Sequence, residues 1–224
     1  MNLLAIETAT EVCSVALAVN GEVQQRYQHA PRQHAELVLP WVQDLLAQAG
    51  IGFGSVDAIA FSRGPGSFTS LRIGIGVVQG LAWASDCPVI PVSSLAATAQ
   101  TAAADGIKAA LVALDARMNE VFTGFFRAND DGIMIVDRAE RVCAAGLVQL
   151  PDEAEIYGVG IGFNRYPELT ELAGRLAGIQ ADTWPSAISV LKLAQDWLRS
   201  HDALPAEMAQ PVYLRDNVAQ KSKI

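Results

Sequence analysis

With 224 residues, 51% of them hydrophobic and 18% charged, the chain can bury one large core or two small ones. It is also short of the roughly 25% charge of soluble domains. Its net charge of −8 argues against tight autonomous binding to RNA or DNA, which rests on Lys and Arg neutralising phosphates.

No apolar stretch reads as the ~20 residues of a membrane span. No basic segment precedes the first apolar run, so no signal peptide is expected. Cys13, Cys87 and Cys143 are odd in number, widely spaced and form no CxxC pair. They read as free thiols of a reducing, cytoplasmic setting.

In chain order, Leu3 to Ile6 is a short apolar strand ending at the acid Glu7. Val12 to Val19 alternates, with Cys13, Val15, Leu17 and Val19 on one face, and Asn20-Gly21 is a two-residue hairpin signal before a return strand from Glu22 to Gln28. From Gln33 the period becomes helical through His34, Leu37, Val38, Trp41, Leu45, Leu46 and Ala49, until Gly50. Ala58 to Phe61 is a buried strand leading into Gly64-Pro65-Gly66-Ser67. A helix from Phe68 to Ser85, a strand from Val89 to Val92 and a helix from about Ser94 follow.

The order then recurs. Ala109 to Leu114 is a strand ending at Asp115, Glu120 to Arg127 a second, Asn129 to Gly132 a turn and Ile133 to Arg138 a third. A helix is expected near Gly146, a strand at Ile156 to Val159 and a late amphipathic helix from Ala187 to His201. The basic residues Arg215, Lys221 and Lys223 read as a solvated tail. Two successive β-β-β-α-β units predict an α/β chain of two lobes, residues 1–104 and 105–224, facing a cleft. The final helix is expected to pack back on the first lobe. This resembles the ASKHA scheme of actin, sugar kinases and chaperone ATPases, in which two turns grip nucleotide phosphates.

The chemistry of such a site is thin here. The turns Glu7-Thr8-Ala9-Thr10 and Asp115-Ala116-Arg117-Met118 lack the Gly that lets backbone reach phosphate. His29, His34 and His201 form no HxxxH or HExxH face, so no metal is expected, and His34 reads as a packed or capping residue. Ser67 is not in a nucleophile elbow. Gly64-Pro65-Gly66-Ser67 lacks the Lys of a P-loop, and Gly158-Val159-Gly160-Ile161-Gly162 has Phe163 where a dinucleotide fingerprint needs Gly. Thr8, Gly64, Gly66 and Ser67 remain as candidate anion contacts, because the glycine turn opens a helix with free N–H groups.

That helix is unusual. Leu71, Ile73, Ile75, Val77, Val78, Leu81 and Trp83 leave it no polar face, and Gly74, Gly76 and Gly80 lie inside it, each costing about 1 kcal/mol relative to Ala. A helix apolar all round is expected to be buried all round, by its own chain or by a partner.

The segment Phe61-Ser62-Arg63-Gly64-Pro65-Gly66-Ser67-Phe68-Thr69-Ser70-Leu71-Arg72-Ile73-Gly74 resembles the signature of the bacterial TsaB family, also called YeaZ. Leu4-Ala5-Ile6-Glu7-Thr8-Ala9-Thr10, Gln33-His34-Ala35-Glu36 and Pro211-Val212-Tyr213-Leu214-Arg215 extend the resemblance over the chain. Glu7 stands where that family usually has Asp.

The resemblance implies a non-catalytic scaffold subunit in tRNA threonylcarbamoyladenosine synthesis. Such a subunit pairs with the catalyst TsaD, recruits the ATPase TsaE and contacts tRNA only through the complex. Ser94 and Thr98 fall where TsaD carries a metal-binding His pair, which argues against the metallopeptidase activity of older naming. The resemblance further implies a homodimer when alone, no cofactor of its own, and ATP only at the complex interface. The expected dimer and partner surface is Leu37, Trp41, Ile73, Gly76, Val77, Gly80, Leu81 and Ala84. The rival reading is a degenerate ASKHA phosphotransferase or ATPase.

Overall fold

The computed structural model describes residues 1–152 and 155–215; Lys221 and Lys223 of the expected tail lie outside them. The first five strands are β1 (Leu3–Glu7), β2 (Val12–Val19), β3 (Glu22–His29), β4 (Ala58–Gly64) and β5 (Val89–Ser93). They form one sheet in the order β3-β2-β1-β4-β5. The other five are β6 (Ala109–Asp115), β7 (Glu120–Ala128), β8 (Met134–Ala144), β9 (Tyr157–Val159) and β10 (Gly178–Gln180). Their order, β8-β7-β6-β9-β10, repeats that of the first sheet. In each, the first strand runs antiparallel to the second and parallel to the fourth. The chain is thus an α/β protein of two lobes on one duplicated plan.

Local chemistry sets the elements. Asn20 and Gly21 take φ of 52° and 87°, and Val19 pairs with Glu22 across them, as a two-residue turn requires. The longer helices are α1 (His34–Gln48), α2 (Phe68–Ser85), α3 (Ser94–Ala103) and α6 (Ala187–Trp197), with short α4 (Gly162–Arg165) and α5 (Pro167–Thr170) between. Ser93 caps α3, its hydroxyl accepting from the N–H groups of Leu95 and Ala96.

Both faces of the first sheet are covered. Cys13, Val15 and Leu17 of β2 join a core with Val38, Val42 and Leu45 of α1 and Ile75, Val78 and Ala82 of α2. The opposite face, with Ala16, Ala18, Ala58 and Ala60, packs on Ala187, Val190, Leu191 and Ala194 of α6. The alternation in β2 is therefore large against small, with neither face in water: small residues let a helix lie close. Leu95, Ala99 and Ala102 of α3 join the core of the second sheet, so α3 stands between the lobes.

The second unit departs from expectation in two places. β8 runs on to Ala144 instead of stopping at Arg138; its polar Asp137, Arg138, Glu140 and Arg141 suit an edge strand, and the register slips near Phe125. The helix expected near Gly146 is one 3-10 turn, Ala145–Leu147. The late helix ends at Trp197 rather than His201, where the Trp197 and His201 rings stack. No helix among the described residues is long and apolar enough to cross a membrane.

Candidate functional site

Between the lobes lies a cavity of about 430 Å³. The β1–β2 and β6–β7 turns face it, as do the start of α2, the end of α4 and the chain from Val212 to Arg215. Of the four candidate anion contacts, Gly66 and Ser67 line this cavity, whereas Thr8 and Gly64 do not.

Thr8 is buried against α2: a Cβ built on Gly74 would stand 2.1 Å from its Oγ1. Gly66 is pressed on the first turn, where a Cβ would meet the Ala9 carbonyl at 2.2 Å, and Ser67 N–H donates to that carbonyl at 2.7 Å. The glycine of this turn thus serves a contact between protein backbones.

Glu7 does not face the cavity. Its Oε1 accepts from Ala9 N–H at 2.5 Å, and the Ser62 hydroxyl donates to Oε2. Burial pushes its carboxyl up to about 8, with the Ala9 N–H pulling the other way. His34 is likewise internal, its Nε2 3.1 Å from the Val12 carbonyl oxygen, the packed role expected of it.

The charged groups in the cleft come from far apart in sequence. Asp115 is approached by the hydroxyl of Tyr166, the guanidinium of Arg165, the N–H of Arg117 at 2.9 Å and the Arg117 guanidinium at 3.1 Å. Burial raises its affinity for a proton, but these donors and cations outweigh that and hold its carboxyl below the usual range. Tyr166 is pushed up to about 12 by burial and its bond to Asp115. Arg165 also donates to Glu11 of the first turn at 2.9 Å.

Opposite, Val212 N–H donates to the Arg63 carbonyl at 2.7 Å, and Arg72 donates to the Tyr213 hydroxyl at 3.1 Å. Arg215 donates to the Ala116 carbonyl at 3.0 Å and pairs with Glu120. Arg215 is therefore no solvated tail residue but ties the segment 212–215 to the second lobe.

None of Glu11, Arg165 or Tyr166 was singled out by sequence reasoning. The local pattern around Arg165 is a glycine cluster. Those glycines serve packing, since a Cβ at Gly158 would meet the Phe163 ring at 2.7 Å.

Ser94 and Thr98 are buried in α3, where the Thr98 hydroxyl donates to the Ser94 carbonyl at 2.8 Å. Among the described residues, no group of three or more His, Cys, Asp or Glu is placed to hold a metal ion.

The second surface of interest is the outer side of α1 and α2. Leu71, Gly74, Ile75, Val78 and Ala82 face the core. The other side of α2 is only partly covered by this chain, which leaves burial all round to a partner. Gly76, Gly80 and Ala84 are exposed, Ile73, Val77 and Leu81 half-buried, and Trp83 is 69% exposed. Leu37 and Trp41 of α1 are half-buried beside them.

The glycines separate by role. Nothing lies within 4 Å of a Cβ built on Gly76 or Gly80, whereas one on Gly74 collides with Thr8. Gly74→Ala is therefore expected to cost about 2 kcal/mol of stability. Gly76→Ala and Gly80→Ala are expected to add up to about 1 kcal/mol each. Urea unfolding of the three variants checks both signs.

Two sheets of one repeated order, closing on a cleft between an acid-ended strand of each lobe, define an actin-like ASKHA protein. Comparison with known proteins narrows this. Residues 28–223 match the family model described as TsaD, tRNA N6-adenosine threonylcarbamoyltransferase. The chain is 39% identical to the tRNA threonylcarbamoyladenosine biosynthesis protein TsaB of Escherichia coli K12, across 99% of this chain and 97% of that one. The Haemophilus influenzae protein of the same name is 40% identical across 99% and 96%. The structure of YeaZ from Pseudomonas aeruginosa superposes with a TM-score of 0.88 at 41% identity, covering 95% of this chain and 99% of that one. The chain belongs to the TsaB family, also called YeaZ.

Proposed function

We propose that this chain is a non-catalytic subunit in the biosynthesis of threonylcarbamoyladenosine in tRNA. It pairs through the outer side of α1 and α2 with a TsaD-type catalytic subunit and, when alone, with a second copy of itself. In this reading a TsaE-type ATPase joins the pair, tRNA is met only through the complex, and the setting is the cytoplasm. The names of the relatives supply the process.

The observation that carries the pairing is α2. Two internal glycines, each costing about 1 kcal/mol, have open space where a side chain would go. Its own chain gives them no reason to be small. A second backbone approaching closely does, and the apolar Ile73, Val77, Leu81 and Trp83 around them supply the burial that association needs.

The absence of catalysis is supported by the cleft. Asp115 is engaged by protein donors, and the glycine of the α2 turn contacts Ala9 rather than open space. The chain is therefore expected to need no cofactor of its own. In reconstituted threonylcarbamoyl transfer to tRNA, the chain alone should give no product, and a TsaD-type partner should give product only when the chain is added. Calorimetric titration of the chain with Mg-ATP should show weak or no binding. Tight binding with turnover would favour the rival phosphotransferase reading.

A further inference from the structure

Arg165 is the last residue of α4 and belongs to the second lobe, as do Asp115 and Tyr166. Asp115 is held within that lobe by Tyr166 and Arg117, and one arm of the Arg165 guanidinium rests on it. The other arm crosses the cleft to Glu11, which sits between β1 and β2 of the first lobe. Arg117 stands 3.7 Å from the same Glu11 oxygen, and His29 is 3.5 Å from the other. Two carboxylates from opposite lobes thus share the Arg165 guanidinium, with the more exposed Arg117 guanidinium at 3.1 Å and 3.7 Å from the same pair.

Two further ion pairs join the lobes, Arg63 with Glu140 at 3.8 Å and Arg199, just past α6, with Asp131 at 2.8 Å, and the other ties are of another kind. Val212 to Arg215 crosses the cleft as continuous chain, bonded to Arg63 and Arg72 on one side and to Ala116 and Glu120 on the other. Beside the start of α3, Ser93 donates to Glu140, and Gln100 bonds Gly132 and Met134. The bonds of Val212, Arg215 and Gln100 each engage backbone and suit a hinge. Glu11 is one-third exposed, so its bond to Arg165 is open to water and salt.

We propose that Arg165 is the latch of an interlobe clamp. Its guanidinium holds Glu11 of the first lobe to Asp115 of the second, and the cavity between Phe68 and Phe122 opens when it lets go. The clamp closes the lobes with a cation of the chain's own, so closure requires no ligand. Loss of Arg165 leaves Glu11 and Asp115 facing each other with Arg117 alone between them, and the lobes part about the segment 212–215.

Spin labels placed by Glu22→Cys in the first lobe and Ala173→Cys in the second, with Cys143→Ser, report the interlobe distance by pulsed electron resonance. In low salt the parent should give one narrow distribution, which widens in about 1 M salt. Arg165→Met and Glu11→Gln should both widen it in low salt, and Arg165→Lys should recover part of the narrowness. Circular dichroism identifies folded variants. If Arg165→Met does not fold, Glu11→Gln decides alone, because Glu11 is partly in solvent and in no core. A parent-like distribution for a folded Arg165→Met or for Glu11→Gln in low salt overturns the clamp.

Discussion

Ile75→Glu is expected to unfold the first lobe, while Val77→Glu, two residues along the same helix, is expected to leave it folded and unable to pair. Ile75 is 4% exposed and sits in the core with Val38, Leu45 and Val78. A carboxylate there has no partner, and the cost of about 4 kcal/mol or more is comparable to the whole stability of a typical domain. Val77 is half-buried at the rim of that core, and its glutamate can reach water at a cost of about 1 kcal/mol.

In the interface proposed above, the same glutamate faces another apolar surface. The expected loss is at least about 2 kcal/mol, roughly thirtyfold in affinity. Gly80→Glu sharpens the contrast: it replaces an exposed helical glycine and should slightly raise stability while blocking close approach. Thermal melts read the first quantity, and gel filtration with calorimetry against the TsaD-type partner reads the second. Normal pairing by folded Val77→Glu and Gly80→Glu proteins would remove the interface from this face.

Glu7→Gln is expected to stabilise the protein, and the gain should depend on pH. The carboxyl ionises near 4.5 in the unfolded chain but at about 8 when folded. Below about 4.5 both states carry the proton and Glu7 costs nothing by this route. Between about 4.5 and 8 the unfolded state loses its proton first, so stability falls as pH rises, and above about 8 the loss is complete. At about pH 7 the difference corresponds to about 3 kcal/mol.

Glutamine reproduces the neutral acid, since its oxygen can accept from Ala9 N–H and its amide can donate to the Ser62 hydroxyl. Urea unfolding across this range should show a slope in the parent that is absent in Glu7→Gln. An unchanged slope would mean that Glu7 is ionised in the folded protein.

Much of the first lobe was legible from sequence because its signals are local. Asn20-Gly21 carries its turn in two residues, and the period of α1 and the extent of α2 are written in their own side chains. The orientation of α2 was not legible, because its two sides are equally apolar. The packing of Thr8 against Gly74 and of Ile75, Val78 and Ala82 against α1 and β2 distinguishes them, and those contacts join separate elements.

The strand expected from Ile133 to Arg138 extends to Ala144, and its run of polar residues, which an edge strand tolerates, carries no apolar alternation to mark that length. The clamp was invisible for a plainer reason: Arg165 lies 154 positions from Glu11 and 50 from Asp115. No window of sequence contains both partners.

The position of α6 bears on how the chain leaves the ribosome. The first lobe's strands and α1 to α3 are complete by Ala103, yet one face of their sheet is covered by Ala187 to Ala194. β5 gains a further bridge from Val89 to Leu204. Until those residues emerge, Leu3, Ala16, Ile90 and Val92 have only Ala97 of α3 from that side, although N-terminal units generally fold first during synthesis. The first lobe to be made is therefore among the last to be finished. A nascent chain halted after the second lobe's strands would display an apolar sheet face, the kind of surface that chaperones hold.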